Sequence, residues 1–442
     1  MKRMIAIGVA PLLAALLSAC GAPPLKQPQV DVPAAFKEAA VQPGPEGSRW
    51  KPAEPAEQQE RGQWWRVFRD PALDQLVEQA ARNNQGLAGA LARVKQARAI
   101  AGIAEADRVP QVAAQAGVQR ARLAPLELGL PPGSPGAPQT LYSPRLSASY
   151  EVDLFGRVSA SVAAAHADAA GAQASYRSVL LALQADVAQA YFRLRALDAE
   201  QDTLARTVQL REQMVRISQS RFDNGDIGEF DLARAKTELS TTRAEAVGLQ
   251  RRRATLEHAL AALLGKPAAA FAAAPSPLTD ASLLPAIPVG LPSSLLERRP
   301  DIAAAQRALE SANARIGVAR SARFPALTLD AVAGGVGTSF ADAFNWSSRS
   351  WLVGALAAVP LIDGGRNRAN VRRSEAVLEE AVASYRGSVL AAFAEVEDNL
   401  AGLRVLSGQA GEIEDALVSA RRSADLAHKL YEAGRSGYLD LL

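Results

Sequence analysis

The sequence predicts an internally duplicated α+β chain. Each half carries a β-hairpin and a helical rod far longer than an ordinary globular helix. Three observations lead there. The stretch Arg221-Phe222-Asp223-Asn224-Gly225-Asp226-Ile227-Gly228-Glu229-Phe230-Asp231-Leu232 returns as Leu430 to Leu441, with Tyr431, Gly434, Leu439 and Asp440 at an offset of 209 from Phe222, Gly225, Phe230 and Asp231. The same offset reaches back to Gly156-Arg157 and Gly365-Arg366 without a gap. Long segments then show an apolar period near 3.5, and four short ones alternate with period two. A repeat of this size sets the architecture before any local motif is weighed.

The elements follow in order. Lys2 and Arg3 precede an apolar run from Ile5 to Leu17, the pattern of a secretory leader. Leu17-Ser18-Ala19-Cys20 resembles a bacterial lipobox, so residues 1–19 are expected to be removed and Cys20, the one cysteine, to carry a covalent lipid. No other cofactor is expected. Residues 20–63 are rich in Pro, Gln, Glu and Ala and read as an extended tether. The first structural repeat spans 64–267. Asp70 caps a helix whose first residue is Pro71, where the missing N–H costs nothing. Leu73, Leu76, Val77 and Ala80 form its apolar stripe, and a second helix runs from about Gln85 to Arg108.

A β-hairpin is expected over 111–155. Leu146, Ala148, Tyr150, Val152 and Leu154 alternate with Ser147, Ser149, Glu151 and Asp153, giving one apolar and one wet face. A helical hairpin over 156–264 comes next. Tyr176, Leu180, Leu183, Val187, Ala190, Leu194, Leu197, Gln201, Leu204 and Val208 recur at steps of four and three, a coiled-coil seam. At 1.5 Å per residue, Arg157 to Phe222 would reach about 100 Å. Its tip is the organising stretch itself, and Leu232 to Leu264 runs back as a helix.

Residues 268–292 link the halves, and 293–442 repeat the plan. A helix from Ala305 to Phe324 matches the first half at an offset of 215. A β-hairpin over 326–362 follows, with Leu327, Leu329, Ala331 and Ala333 on one strand and Trp351, Val353, Ala355, Ala357 and Val359 on the other. A long helix is expected over 365–430, with a seam from Tyr385 through Val389, Ala392, Val396 and Leu403 to Leu417, and then a second tip. The first tip is followed by about 33 residues of returning helix and the second by almost none, so the chain is expected to be truncated relative to its own repeat.

Composition excludes several classes. The formal charge is +3, from 49 basic and 46 acidic residues, and aromatics are 5 %, so no nucleic-acid partner is expected. His166, His258 and His428 lie scattered on helices without ligand spacing, so no metal is expected. Asp223 to Glu229 lacks the residue order of a calcium loop and reads as a hairpin tip. Gly334-Gly335-Val336-Gly337 precedes no helix and is no phosphate cradle. Arg251-Arg252-Arg253 reads as a solvated helix face. No catalytic constellation is present, and no enzyme activity is expected.

Strands of about 9–11 residues can cross a bilayer when tilted. A membrane sheet must close on itself, and four strands are too few. Two copies would give eight strands and three would give twelve, so a ring of identical chains is expected: a shared barrel continued by a tube of helices.

At this point the chain resembles the TolC-like outer-membrane factors of tripartite efflux pumps, in their OprM/NodT lipoprotein branch. The residues that carry the resemblance are Trp64-Trp65-Arg66-Val67-Phe68-Arg69-Asp70-Pro71, Ser149-Tyr150-Glu151-Val152-Asp153-Leu154-Phe155-Gly156-Arg157 and Leu296-Glu297-Arg298-Arg299-Pro300-Asp301-Ile302. Ala312-Asn313-Ala314-Arg315-Ile316-Gly317-Val318-Ala319-Arg320, Pro360-Leu361-Ile362-Asp363-Gly364-Gly365-Arg366 and Tyr431-Glu432-Ala433-Gly434 complete the ordered set.

The resemblance implies a homotrimer with a twelve-stranded outer-membrane barrel and a periplasmic helical tunnel in a Gram-negative bacterium. Gly21 after Cys20 is consistent with that membrane and its lipids. The implied partners are a periplasmic adaptor and an inner-membrane pump of the resistance-nodulation-division (RND) class. The function implied is passive export of small molecules. The resemblance also places a constriction leucine at Leu439, with Asp440 nearby. Phe222, Asp231 and Tyr431 are further gate or tip candidates, the two aromatics serving tip packing, adaptor contact or both. Two rival readings are a coiled-coil periplasmic adaptor or scaffold lipoprotein, which needs no alternating strands, and the outer-membrane conduit of a type I protein secretion system.

Overall fold

The computed structural model describes residues 23–25, 28–38, 62–122, 124, 129, 131, 137–278, 298–432 and 435. The helices are α1 (Pro71–Asn83), α2 (Gln85–Ala106), α3 (Arg157–Asp223), α4 (Glu229–Leu263), α5 (Pro300–Ser321) and α6 (Arg366–Glu432). The strands are β1 (Gln111–Ala121), β2 (Gln139–Val152), β3 (Ala326–Gly335) and β4 (Arg349–Ala358). Helix boundaries obey both offsets of the repeat: α2 and α5 differ by 215 at each end, α3 and α6 by 209.

Two compact units divide the described chain. The first holds residues 92–174 and 301–388, with the N-terminal residues up to Val30. Its centre is one antiparallel sheet in the order β1-β2-β3-β4, so β1 and β4 are its edges. All four strand-to-helix junctions fall at one end of this sheet, and the β1–β2 and β3–β4 connections at the other.

Each junction into a rod is held by an aspartate. Asp153 accepts from Val158 N at 3.0 Å, Ser159 N at 2.8 Å and the Ser159 hydroxyl at 2.6 Å. Asp363 accepts from Gly365 N at 2.8 Å and Asn367 N at 2.9 Å. Such caps satisfy N–H groups that a helix start otherwise leaves orphaned. Glu151 and Arg157 form a two-point pair with both contacts at 2.6 Å, and Phe155 stacks on Phe324 at 4.9 Å. Gly156 and Gly365, at φ 74° and 86°, supply the left-handed bends that a side chain would resist.

Helices α3 and α5 pack closely in this unit. Val158 and Val162 are buried with Ile302, Leu309 and Ile316, and a Cβ on Gly171 would touch Arg307 at 3.4 Å. Here α5 departs from the expected 305–324. It begins at Pro300, whose fixed φ suits a first turn, with Asp301 favouring the helix N-terminus. It ends at Ser321, whose hydroxyl donates to the Val318 carbonyl at 2.8 Å, and two turn bonds at Arg323 and Phe324 carry the chain off before Pro325.

The second unit holds residues 31–91, 175–300 and 389–442. Its core joins Trp65 and Leu73, Val77 and Ala80 of α1 to Leu183, Val187, Ala190, Tyr191 and Leu194 of α3 and to Leu260 and Leu264. Asp70 both caps α1 and ties it to α3: its Oδ1 accepts from Ala72 N, while its Oδ2 accepts from Tyr191 Oη at 2.7 Å and Arg195 at 2.6 Å. Burial, then the bond to Asp70, pushes the Tyr191 phenol up to about 12.

The expected solvated face at Arg251-Arg252-Arg253 is corrected here. Arg251 and Arg252 are exposed, but Arg253 turns inward to Asp198 at 2.7 Å, and the Asp198 side chain is only 2 % exposed. Asp198 also accepts from Ser276 N at 2.8 Å, and Arg253 donates to the Ala273 carbonyl at 2.8 Å. The pair thereby fastens the segment after α4 to the α3–α4 hairpin. Of the tether, Phe36 is buried, Glu397 accepts from Lys37 N and Glu38 N, and Glu38 pairs with Arg404 at 2.8 Å.

Candidate conduit wall and helix tip

Directly opposed residues of an antiparallel sheet point to the same side, so the pairing register sorts the side chains onto two faces. One face runs in rows: Val112, Ala148, Ala331 and Val353; then Ala114, Leu146, Ala333 and Trp351. Tyr150, Leu329 and Ala355 form a third row, and Val152, Leu327 and Ala357 a fourth. Every member is apolar or aromatic, yet Val112, Val353 and Trp351 are 71 %, 72 % and 80 % exposed. At the turn end, Arg120 lies opposite Thr140 on this face.

The other face carries Gln111, Ser149, Asp330 and Gly354 in one row and Gln115, Arg145, Gly334 and Ser350 in another. Ala113, Ser147, Val332 and Leu352 lie between them. The Ser149 hydroxyl donates to Asp330 at 2.7 Å across the β2–β3 pair. An apolar face with Val112, Trp351 and Val353 largely exposed, a more polar face behind it and two edges unpaired among the described residues are the features of a wall between lipid and water. Among the described residues no helix is long and apolar enough to cross a membrane.

The described tip lies in the second unit. Its turn is built by Asp226 N donating to the Arg221 carbonyl at 2.8 Å and Gly225 N to the Phe222 carbonyl at 2.9 Å, with Gly225 at φ 79°. This double bond closes a helix C-terminus on a left-handed glycine. Tyr431 is buried: its ring lies 4.4 Å from the Arg221 guanidinium, in a cluster with Ala235, Met214, Val215 and Ile217. Phe222 is 37 % exposed, and Asp231 stands half-buried in the first turn of α4.

Structure thus brings Tyr431 of α6 to Arg221 of α3 and Ala235 of α4, and leaves Phe222 outside that cluster. Cys20, Leu439 and Asp440 lie outside the described residues. Two tip residues escaped the sequence reading. Arg221, under Tyr431, gave no periodic signal. Phe230, 74 % exposed, is the repeat counterpart of Leu439, and that correspondence pointed to it.

Sheet and rods together define the class: an outer-membrane channel of efflux systems. The chain belongs to the outer membrane efflux protein family, which matches residues 76–266 and 291–442. Similar proteins include outer membrane protein OprJ of Pseudomonas aeruginosa, 35 % identical over 450 residues, covering all of this chain and 90 % of that protein. The pyoverdine export outer membrane protein OpmQ of the same species is 34 % identical over 382 residues, 86 % of this chain and 80 % of its own. Among solved structures, the open-state MtrE outer membrane channel of Neisseria gonorrhoeae superposes with a TM-score of 0.79 at 27 % identity, over 95 % of this chain and 90 % of that one.

Proposed function

We propose that three copies of this chain close into one twelve-stranded barrel, β4 of each pairing with β1 of the next, and that the helices continue the barrel as a periplasmic tunnel. The observation that carries this reading is the sheet itself. Among the described residues it has four strands, two unpaired edges and one face that is apolar over its four central rows, and lipid tolerates neither an open edge nor an isolated wall. Three such sheets give twelve strands, within the range of membrane barrels.

The barrel lining would be mainly neutral and hydrogen-bonding, from Gln111, Gln115, Ser147, Ser149, Thr328 and Ser350, with Arg145, Asp330 and the Arg157-paired Glu151 as sparse charges. Such a wall passes small molecules without gripping one of them. The cargo class is small toxic compounds, drugs among them, and OpmQ, by name a pyoverdine exporter, fits that size range. Energy comes from a proton-driven inner-membrane pump joined through a periplasmic adaptor at the helix tips. Exposed Phe222 and Phe230 suit that contact, while Leu439 and Asp440 are the proposed constriction. Cys20 is the proposed lipid anchor, and no catalytic or metal chemistry is assigned.

The test is assembly. Cross-linked in mild detergent, the purified chain should run at three times its monomer mass, and without cross-linker the complex should resist dissociation until heated. A chain that stays monomeric, with heat-insensitive migration, would remove the reading.

A further inference from the structure

The β3–β4 connection does not stand away from the sheet. Residues 337–348 fold back over the apolar face, and the Ala343 backbone occupies the space where a Cβ on Gly335 or on Gly337 would lie. Tyr142 and Gly337 exchange both backbone bonds, at 2.9 and 3.0 Å. Phe340 sits edge-on to Tyr142 at 6.3 Å and to Phe344 at 5.3 Å. The fold-back is therefore fastened by hydrogen bonds and rings, and the glycines of Gly334-Gly335-Val336-Gly337 serve it.

Under this flap lies a hollow of about 670 Å³, lined by Ala114, Ala116, Leu146, Phe340, Phe344 and Trp351. Ala114, Leu146 and Trp351 belong to one of the apolar rows and Ala116, opposite Pro144, lies on the same face, so the hollow is continuous with the surface that meets acyl chains. Arg349 stands at its rim, its guanidinium 4.2 Å from the exposed ring of Trp346. No ion pair engages Arg349 among the described residues. An apolar slot opening onto lipid, topped by an available guanidinium, has the chemistry of an acyl chain below and a phosphate above.

We propose that this hollow binds one acyl chain of a phosphorylated, multiply acylated lipid of the outer leaflet, with its phosphate on Arg349. The proposal rests on the reading that the apolar rows face lipid and that the helix-free end of the sheet faces the exterior. A guanidinium and a phosphate oxygen make the stronger, charge-assisted kind of hydrogen bond, and the Trp346 ring holds the guanidinium in place.

The experiment titrates full-length protein in detergent with bis-phosphorylated hexa-acyl lipid A and follows retained adducts by native mass spectrometry. Arg349→Ala and Ala116→Trp, which fills the slot, should each weaken binding about tenfold, and dephosphorylated lipid should bind the wild type as weakly as the phosphorylated form binds Arg349→Ala. If Ala116→Trp fails to assemble, Phe344→Ala replaces it, with the same expected loss. Undiminished binding in either variant overturns the proposal. A nitroxide at Val112→Cys separates the two readings. High oxygen accessibility there with no adduct faults the lipid site alone, whereas low accessibility faults the lipid-facing assignment beneath it.

Discussion

The two long rods, α3 and α6, have equal length and the same seam, yet they are covered very differently. Leu194 of α3 is 3 % exposed, and its repeat counterpart Leu403 of α6 is 51 % exposed. The pair Leu204 and Ile413 shows the same split, half-buried against 59 % exposed. α4 returns along α3 and, with α1, covers its stripe, and no second helix returns along α6 among the described residues. A coiled-coil period states that a stripe needs a neighbour, and only an actual neighbour turns it into core.

Charge pairing diverges as well. The offset carries Asp198, buried against Arg253, onto Ser407. The largest contrast follows from that. Asp198→Ala leaves Arg253 with Glu257 at 3.2 Å and the Ala273 carbonyl and orphans the Ser276 N–H, and should cost about 3 kcal/mol in chemical unfolding, whereas Ser407→Ala should stay within about 0.5 kcal/mol.

Next in size is the seam itself. Leu194→Ala should cost about 2–5 kcal/mol, and Leu403→Ala about 0.5 kcal/mol or less, both read from unfolding midpoints. An equal loss at Leu403 would mean that another element covers α6.

The rod starts sharpen the comparison at smaller scale, because there the halves are alike. Burial works against the charge of Asp153, but the Ser159 hydroxyl and N–H, the Val158 N–H and nearby Arg157 hold its carboxyl below the usual carboxylate range. Asp363 is held low by the Asn367 and Gly365 N–H groups. Asp153→Ala should cost about 1 kcal/mol by thermal unfolding, and Asp363→Ala should lower the midpoint in the same direction. A lowered carboxylate adds stability above its ordinary value and loses it on acidification, so both effects should fade as pH falls through the lowered folded-state values.

The smallest effect is alkaline. Tyr191 is raised from 10.0 to about 12, and its counterpart in α6 is Leu400. A raised phenol stabilises the fold fully below its unfolded value and loses that contribution as pH climbs to about 12. Tyr191→Phe should flatten the stability curve in that window, and Leu400→Phe should leave its slope unchanged.

Much of the architecture could be read before any coordinates. Two offsets located both rods, and alternation sorted Leu146 from Ser147 and Tyr150 from Glu151. Asp70 and Pro71 marked a helix start through local chemistry alone. What stayed hidden depended on distant partners. Arg253 looks solvated beside Arg251 and Arg252, because nothing local points to Asp198, 55 residues earlier. The glycines at 335 and 337 announce a turn, but not that Ala343 will lie upon them. At the tip, the repeat led to Phe222 and Tyr431, while the choice of the buried one, Tyr431, was made by Arg221 and Ala235.

The central claim is a sheet with water on one side and lipid on the other, and neighbouring residues of β2 test it most directly. Ser147 and Ala148 point to opposite faces. Planar-bilayer conductance of the Ser147→Cys and Ala148→Cys proteins would be followed while a membrane-impermeant thiol reagent is added. Current through Ser147→Cys should fall, and current through Ala148→Cys should hold steady. Absence of conductance from either protein, or a block confined to Ala148→Cys, would contradict the account.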